Sequence, residues 1–179
     1  MRDKIYENKV LYLTLLAILL SVACILFYLE SIFITPLFPI PGAKLGIANL
    51  VSLVMIYTLS WKEALLITIL RVIIVNFILG TFLNISFFLG LFGGIMSTIV
   101  MGIVKNTSLS LVTNSVLGAI THNLTQLLVV IFFVQHSGIL YYAPFLILFG
   151  IITGSVNGII GRYVIKSLEK ILGVNDEKK

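Results

Sequence analysis

The chain has 179 residues, of which 59% are hydrophobic and only 11% charged, and its mean hydropathy is +1.15. A soluble domain carries about 25% charged residues, so this composition cannot supply a water-facing surface and lipid is the expected solvent. The net charge of +5 does not point to nucleic acid, because the cations sit at chain ends and short connections rather than along one face.

The expected fold is an all-α integral membrane protein, a single domain over 1–179 with a bundle of about six transmembrane helices. Residues 1–9 (MRDKIYENK) are polar and carry Arg2, Lys4 and Lys9. The first apolar run, Val10 to Leu29, is too long for a signal peptide and lacks a small-residue cleavage site, so it reads as a retained span. It contains Cys24, the single cysteine, which reads as a small apolar residue.

Next comes Glu30 to Leu50, ESIFITPLFPIPGAKLGIANL, with all but one of the four prolines. Each proline lacks an N–H and fixes φ, so Pro36, Pro39 and Pro41 keep the stretch extended or turning, and Gly42 permits a tight turn before Lys44. Two readings stand open: a structured entry loop over 30–43 with Glu30 and Lys44 at the mouth of the bundle, and an ordinary linker.

Span 2 is expected from Lys44 to Leu59, followed by a polar turn, Trp61-Lys62-Glu63, with an interfacial aromatic. Span 3 covers Ala64 to Phe82 and contains Arg71, with Asn76 and Asn84 further along. Span 4 runs from Ile85 to Val104 and ends at Lys105. Span 5, Leu111 to Val134, contains His122, Asn123 and Gln126. A loop with His136, Tyr141 and Tyr142 leads to span 6, Ala143 to Ile165, and a basic tail, 166–179.

Six spans put both termini on one side. With that side cytoplasmic, every cation except Lys44 and Arg71 falls inside, which satisfies the positive-inside rule and places the proline-rich loop outside. Glycines at 150, 154 and 158, and at 90 and 94 with Ser97, form small-residue ridges that let helices approach closely. Ala17 and Ser21 form a further small pair on span 1, suited to packing within the bundle or to docking a partner subunit. There is no internal repeat of the inverted-repeat transporter kind.

Arg71 is costly inside a span unless it faces a polar partner or cavity; a structural arginine snorkelling to the interface and a ligand contact are both open. His122 and Gln126 share one face of span 5, Asn123 extends it, and such groups need partners in lipid. Interhelical bonding and a ligand pocket are the two accounts. His122 and His136 are far apart, with no cysteine or carboxylate at metal-ligand spacing. There is no Walker-type glycine loop, no mid-span acid for a proton relay, and no aspartate-rich cluster to hold Mg²⁺ on a diphosphate. The chain therefore reads as a binder without cofactor or metal rather than an enzyme.

Pro41-Gly42-Ala43-Lys44-Leu45-Gly46-Ile47-Ala48-Asn49-Leu50, preceded by Glu30 and an extended loop, resembles a bacterial membrane family called heptaprenyl diphosphate synthase component I, or the Gx transporter family. The layout is also similar to the substrate-binding S components of energy-coupling-factor (ECF) transporters. That resemblance implies six helices, cytoplasmic termini and a gating loop between helices 1 and 2. It also implies that Ala17 and Ser21 stand where an alanine pair docks a membrane coupling subunit. By position it implicates His122, Asn123 and Gln126 in binding, with Lys44 at the gate.

The leading expectation is a substrate-binding subunit of a multi-component importer in a bacterial cell membrane. Its ligand would be a small organic molecule, anionic or isoprenoid-related, held by Glu30, Lys44, Asn49, Arg71, His122, Asn123 and Gln126. A coupling subunit and ATPases would be its partners. The alternative is a membrane accessory subunit of a polyprenyl diphosphate synthase, binding or delivering a precursor for a separate soluble enzyme.

Overall fold

The computed structural model describes residues 2–34 and 46–172, and among them every regular element is helical. A short α1 (Arg2–Glu7) turns at Asn8, whose side chain accepts from the Leu11 N–H and caps α2 (Lys9–Leu29). The helix then loosens into a π-helical turn, Glu30–Ile34. α3 (Asn49–Thr58), α4 (Trp61–Ile78), α5 (Ile85–Val104) and α6 (Leu111–Val134) follow. A 3₁₀ turn (Ser137–Tyr142) leads into α7 (Ala143–Ile171).

Among the described residues four segments are long and apolar enough to cross a membrane: Lys9–Ile34, Ile85–Val104, Leu111–Val134 and Ser137–Ile171. They overlap expected spans 1, 4, 5 and 6, but the first runs on to Ile34, into the expected entry loop, and the last, Ser137–Ile171, passes the expected ends at Ala143 and Ile165. The other two depart from expectation. α3 has 10 residues, a rise of about 15 Å against an apolar slab of about 30 Å; the earlier part of expected span 2, with Lys44, lies outside the described residues. α3 is apolar because it is enclosed by protein: Val51, Leu53, Val54, Met55 and Ile56 are all buried.

Expected span 3 ends at Ile78 rather than Phe82. Gly80 and Leu83 adopt left-handed backbone, φ +66° and +61°, and the Thr81 N–H returns to the Asn76 carbonyl. Trp61-Lys62-Glu63 is the first turn of α4 rather than a separate polar turn. Ser60 caps it by accepting from the Lys62 N–H, and Glu63 suits the positive end of the helix. The polar N-terminus is folded down as well. Ile5 is fully buried with Leu59 and Ala64, and the Tyr6 hydroxyl donates to Glu63 Oε1 at 2.6 Å.

α6 is the hub, packed along α5 and α7. The α7 ridge is used against the α6 backbone itself. A Cβ at Gly150, Gly154 or Gly158 would lie 3.1, 2.5 or 2.8 Å from the Cα of Ile120, Val116 or Val112. The α5 glycines instead face side chains, Gly90 meeting Phe27, Gly93 meeting His122, and Gly94 meeting Thr68. Both ridges therefore serve packing within the bundle. Ala17 and Ser21 lie exposed on α2, with the Ser21 hydroxyl donating to the Ala17 carbonyl of its own helix.

Candidate functional site

A polar centre is built inside the bundle where α2 loosens and α3 begins. Glu30 is 1% exposed, so it is not at an open mouth. Its Oε1 accepts from the Gly46 N–H at 2.6 Å and its Oε2 from the Ile47 N–H at 3.1 Å. These N–H groups open the turn that feeds α3, whose next donors, Asn49 and Leu50, bond back to the Gly46 and Ile47 carbonyls. A carboxylate at that position satisfies orphan donors and opposes the positive end of the helix. Gly46 is required there twice over. Its φ is +79°, and a Cβ would lie 2.8 Å from Asn49 Nδ2 and 3.2 Å from the His122 ring.

Arg71, in the middle of α4, is fully enclosed. It does not snorkel: Nη2 donates to Asn49 Oδ1 at 2.8 Å, and the guanidinium lies 5.7 Å from the Phe27 ring centroid, a favourable cation–π placement. Arg71 Nε and Nη1 and Asn49 Nδ2 have no hydrogen-bond partner among the described residues. Below them a hydroxyl ladder joins three helices, Ser52 to Thr68 at 2.8 Å and Thr68 to Thr98 at 3.2 Å.

From the opposite wall, α6 brings His122 and Gln126. Gln126 Nε2 and His122 Nε2 are hydrogen-bonded to each other at 3.0 Å. Both side chains press on the bare Cα of Gly93, where a Cβ would meet the ring at 3.0 Å and Gln126 Cγ at 3.1 Å. α7 closes the centre with Asn157, whose Nδ2 donates to the Gly46 carbonyl at 3.2 Å.

Of the residues expected from sequence, Glu30, Asn49, Arg71, His122 and Gln126 are thus brought around Gly46. Asn123 is not: it turns to α7 and donates to the Leu146 carbonyl at 2.9 Å, a helix-to-helix fastening. Lys44 lies outside the described residues. Asn157 and the two glycines, Gly46 and Gly93, were missed. Asn157 carries the same signal as His122, a strongly polar side chain amid an apolar helix, and it sits beside the glycine ridge of α7.

The centre offers fixed donors to an acceptor-rich group, with one carboxylate already committed to backbone N–H groups. Among the described residues no group of three His, Cys, Asp or Glu side chains could hold a metal ion.

The family model for heptaprenyl diphosphate synthase component I matches residues 19–164. The chain belongs to that family. The interval matched to heptaprenyl diphosphate synthase component I takes in the whole polar centre, from Glu30 to Asn157. The family's description names one component of a synthase, which implies a partner synthase subunit; the importer reading draws no specific support from it. No curated protein and no solved structure matches the chain.

Proposed function

We propose that this chain is the membrane-embedded accessory component of a heptaprenyl or other polyprenyl diphosphate synthase, acting beside a separate subunit that performs prenyl transfer. The observation that carries this reading is the family match over residues 19–164. The sequence agrees chemically: its acids are Asp3, Glu7, Glu30, Glu63, Glu169, Asp176 and Glu177, and none forms the aspartate-rich cluster that would hold Mg²⁺ on a diphosphate. The chain would be a single helical domain in a bacterial cell membrane, with cytoplasmic termini meeting the soluble subunit. The long hydrocarbon product would enter the bilayer beside it.

The test supplies a purified partner synthase to membranes with and without this chain and follows the rate and length of the prenyl product. Faster synthesis, or longer product, only in membranes holding the chain is expected. Identical product and rate in both would overturn the reading.

A second reading, substrate capture for an importer, is favoured by one observation: three donors at Arg71 and Asn49 lack partners among the described residues of a buried polar centre. A small acceptor-rich molecule would satisfy them, and ATPases on other chains would drive its movement. Detergent extraction of the tagged chain, with mass spectrometry of retained proteins and small molecules, separates the readings. A coupling subunit with paired ATPases supports import, and a soluble prenyl synthase supports the accessory role.

A further inference from the structure

At the end of the bundle where α6 begins and α7 leaves, a groove of about 400 Å³ is lined by Val112, Ile159, Arg162, Tyr163 and Lys166. It combines three features that nothing in the polar centre uses. First, Arg162 and Lys166 stand one turn apart on α7 and both are exposed, so their charges face the same space. Neither is engaged in a hydrogen bond or an ion pair among the described residues.

Second, Val112 belongs to the first turn of α6, a helix of 24 residues with no acidic residue in that turn. Ser110 caps the Thr113 N–H of that turn, and the partial positive charge of the helix start adds to the same field. The two helices are held together at this point because Gly158 lets α7 lie against the Val112 Cα, 2.8 Å from where a Cβ would be. The cationic end of the groove is therefore fixed by backbone contact.

Third, the groove continues into an apolar track. Leu148, Ile152, Val156 and Ile159 are all half-exposed along one face of α7 and lead up to Arg162 and Lys166. α7 has 29 residues, about 43 Å at 1.5 Å per residue, which exceeds an apolar slab of about 30 Å. Its apolar strip and its cations thus fall on the two sides of a membrane boundary. Lys105, bonded to the Ile56 carbonyl, and Tyr6 on Glu63 lie at this same end.

We propose that this groove is a specific site for an anionic phospholipid, with the headgroup phosphate held by Arg162, Lys166 and the α6 N-terminus and one acyl chain along Leu148–Ile159. A soluble acidic partner would be met by the charges but not by the apolar strip that continues from them. Basic pockets between helices at a membrane surface recognise lipid phosphates in this way.

The test is native mass spectrometry of the detergent-purified full chain titrated with phosphatidylglycerol and phosphatidylcholine of identical acyl chains. Preferential retention of phosphatidylglycerol is expected. Arg162→Gln or Lys166→Gln should each weaken that preference about fivefold, and the double variant should abolish it. Lys170→Gln, one turn beyond the groove, should leave it intact. Circular dichroism and thermal midpoints equal to the unaltered chain show that the variants fold.

Equal binding of the two lipids, or a preference that survives the double variant, would overturn the site. Farnesyl diphosphate displacing phosphatidylglycerol with the same dependence on Arg162 and Lys166 would overturn the phospholipid as occupant and place a prenyl diphosphate in the groove.

Discussion

Arg71 Nη2 donates to Asn49 Oδ1 at 2.8 Å and thereby ties the middle of α4 to the first turn of α3. The arginine is enclosed, and this is the hydrogen bond that the described structure gives its guanidinium. Asn49→Ala should therefore destabilise the fold by roughly 1.5–3 kcal/mol, the range for a bond to a charged group. Thermal unfolding in detergent checks this. An unchanged midpoint would mean that Arg71 finds another acceptor on its own.

The glycines of α5 and α7 should respond differently to the same change. At Gly154 an added methyl group would meet the α6 backbone at 2.5 Å, whereas at Gly93 it would meet the side chains of His122 and Gln126 at 3.0 and 3.1 Å. Backbone cannot yield without separating two helices, so Gly154→Ala should cost about 1–3 kcal/mol. Gly93→Ala should cost less in stability but should shift the His122 ring, read as a change in its NMR signals. Equal destabilisation at both positions would contradict this account of the ridges.

The contact between Tyr6 and Glu63 predicts a pH window for the N-terminal helix. Burial, then the hydrogen bond to Glu63, raises the Tyr6 hydroxyl from 10.0 to about 12. At Glu63 burial pulls the carboxyl upward, but bonds from Ser60 and Tyr6 outweigh it and hold the group below 4.5. A raised tyrosine contributes fully below pH 10 and is lost as pH rises through about 12. A depressed carboxyl contributes fully above pH 4.5 and is lost as pH falls through its folded value. Protection factors for amide exchange in Arg2–Glu7, taken against the intrinsic rate at each pH, should thus be highest between about 4.5 and 10 and should fall at either side. Tyr6→Phe should remove the alkaline limb and leave the rest of the bundle protected.

Ala17 and Ser21 are both exposed on α2 among the described residues. Ala17→Leu with Ser21→Leu should leave the unfolding midpoint within about 0.5 kcal/mol of the parent, as surface changes do. If this face docks a membrane partner, the same double variant should lose that partner on detergent co-purification. Retention of the partner would assign α2 to lipid contact alone.

Much of this architecture was legible because lipid imposes a simple rule on sequence. α2, α5 and α6 are continuous apolar runs, whereas α7 carries its apolar run on into a charged end with Arg162 and Lys166. α3 and α4 followed a different logic. α3 is short and walled by protein on all sides, so its hydrophobicity reports burial rather than span length. α4 carries Lys62, Glu63 and Arg71 because its start is capped and its middle faces Asn49.

For the centre, single polar residues in apolar helices identified Arg71, His122 and Gln126. Asn123, next to His122 along the chain, donates to the Leu146 carbonyl instead of joining Gln126, which is the interhelical bonding that the sequence left open for it. Asn157 acts through a backbone carbonyl 111 residues away, and helical periodicity carries no information about such a partner.

That last contact has a consequence for biogenesis. Chains emerge N-terminus first, so Glu30, Gly46 and Arg71 leave the ribosome well before α7. Until α7 arrives, the Gly46 carbonyl lacks its Asn157 donor, and α6 lacks the glycine face on which Val112, Val116 and Ile120 rest. A nascent chain halted before Ala143 would hold a buried guanidinium and carboxylate in an unsealed bundle, the kind of intermediate that membrane quality control removes. α7, made after α2 to α6, is the helix that locks the interior.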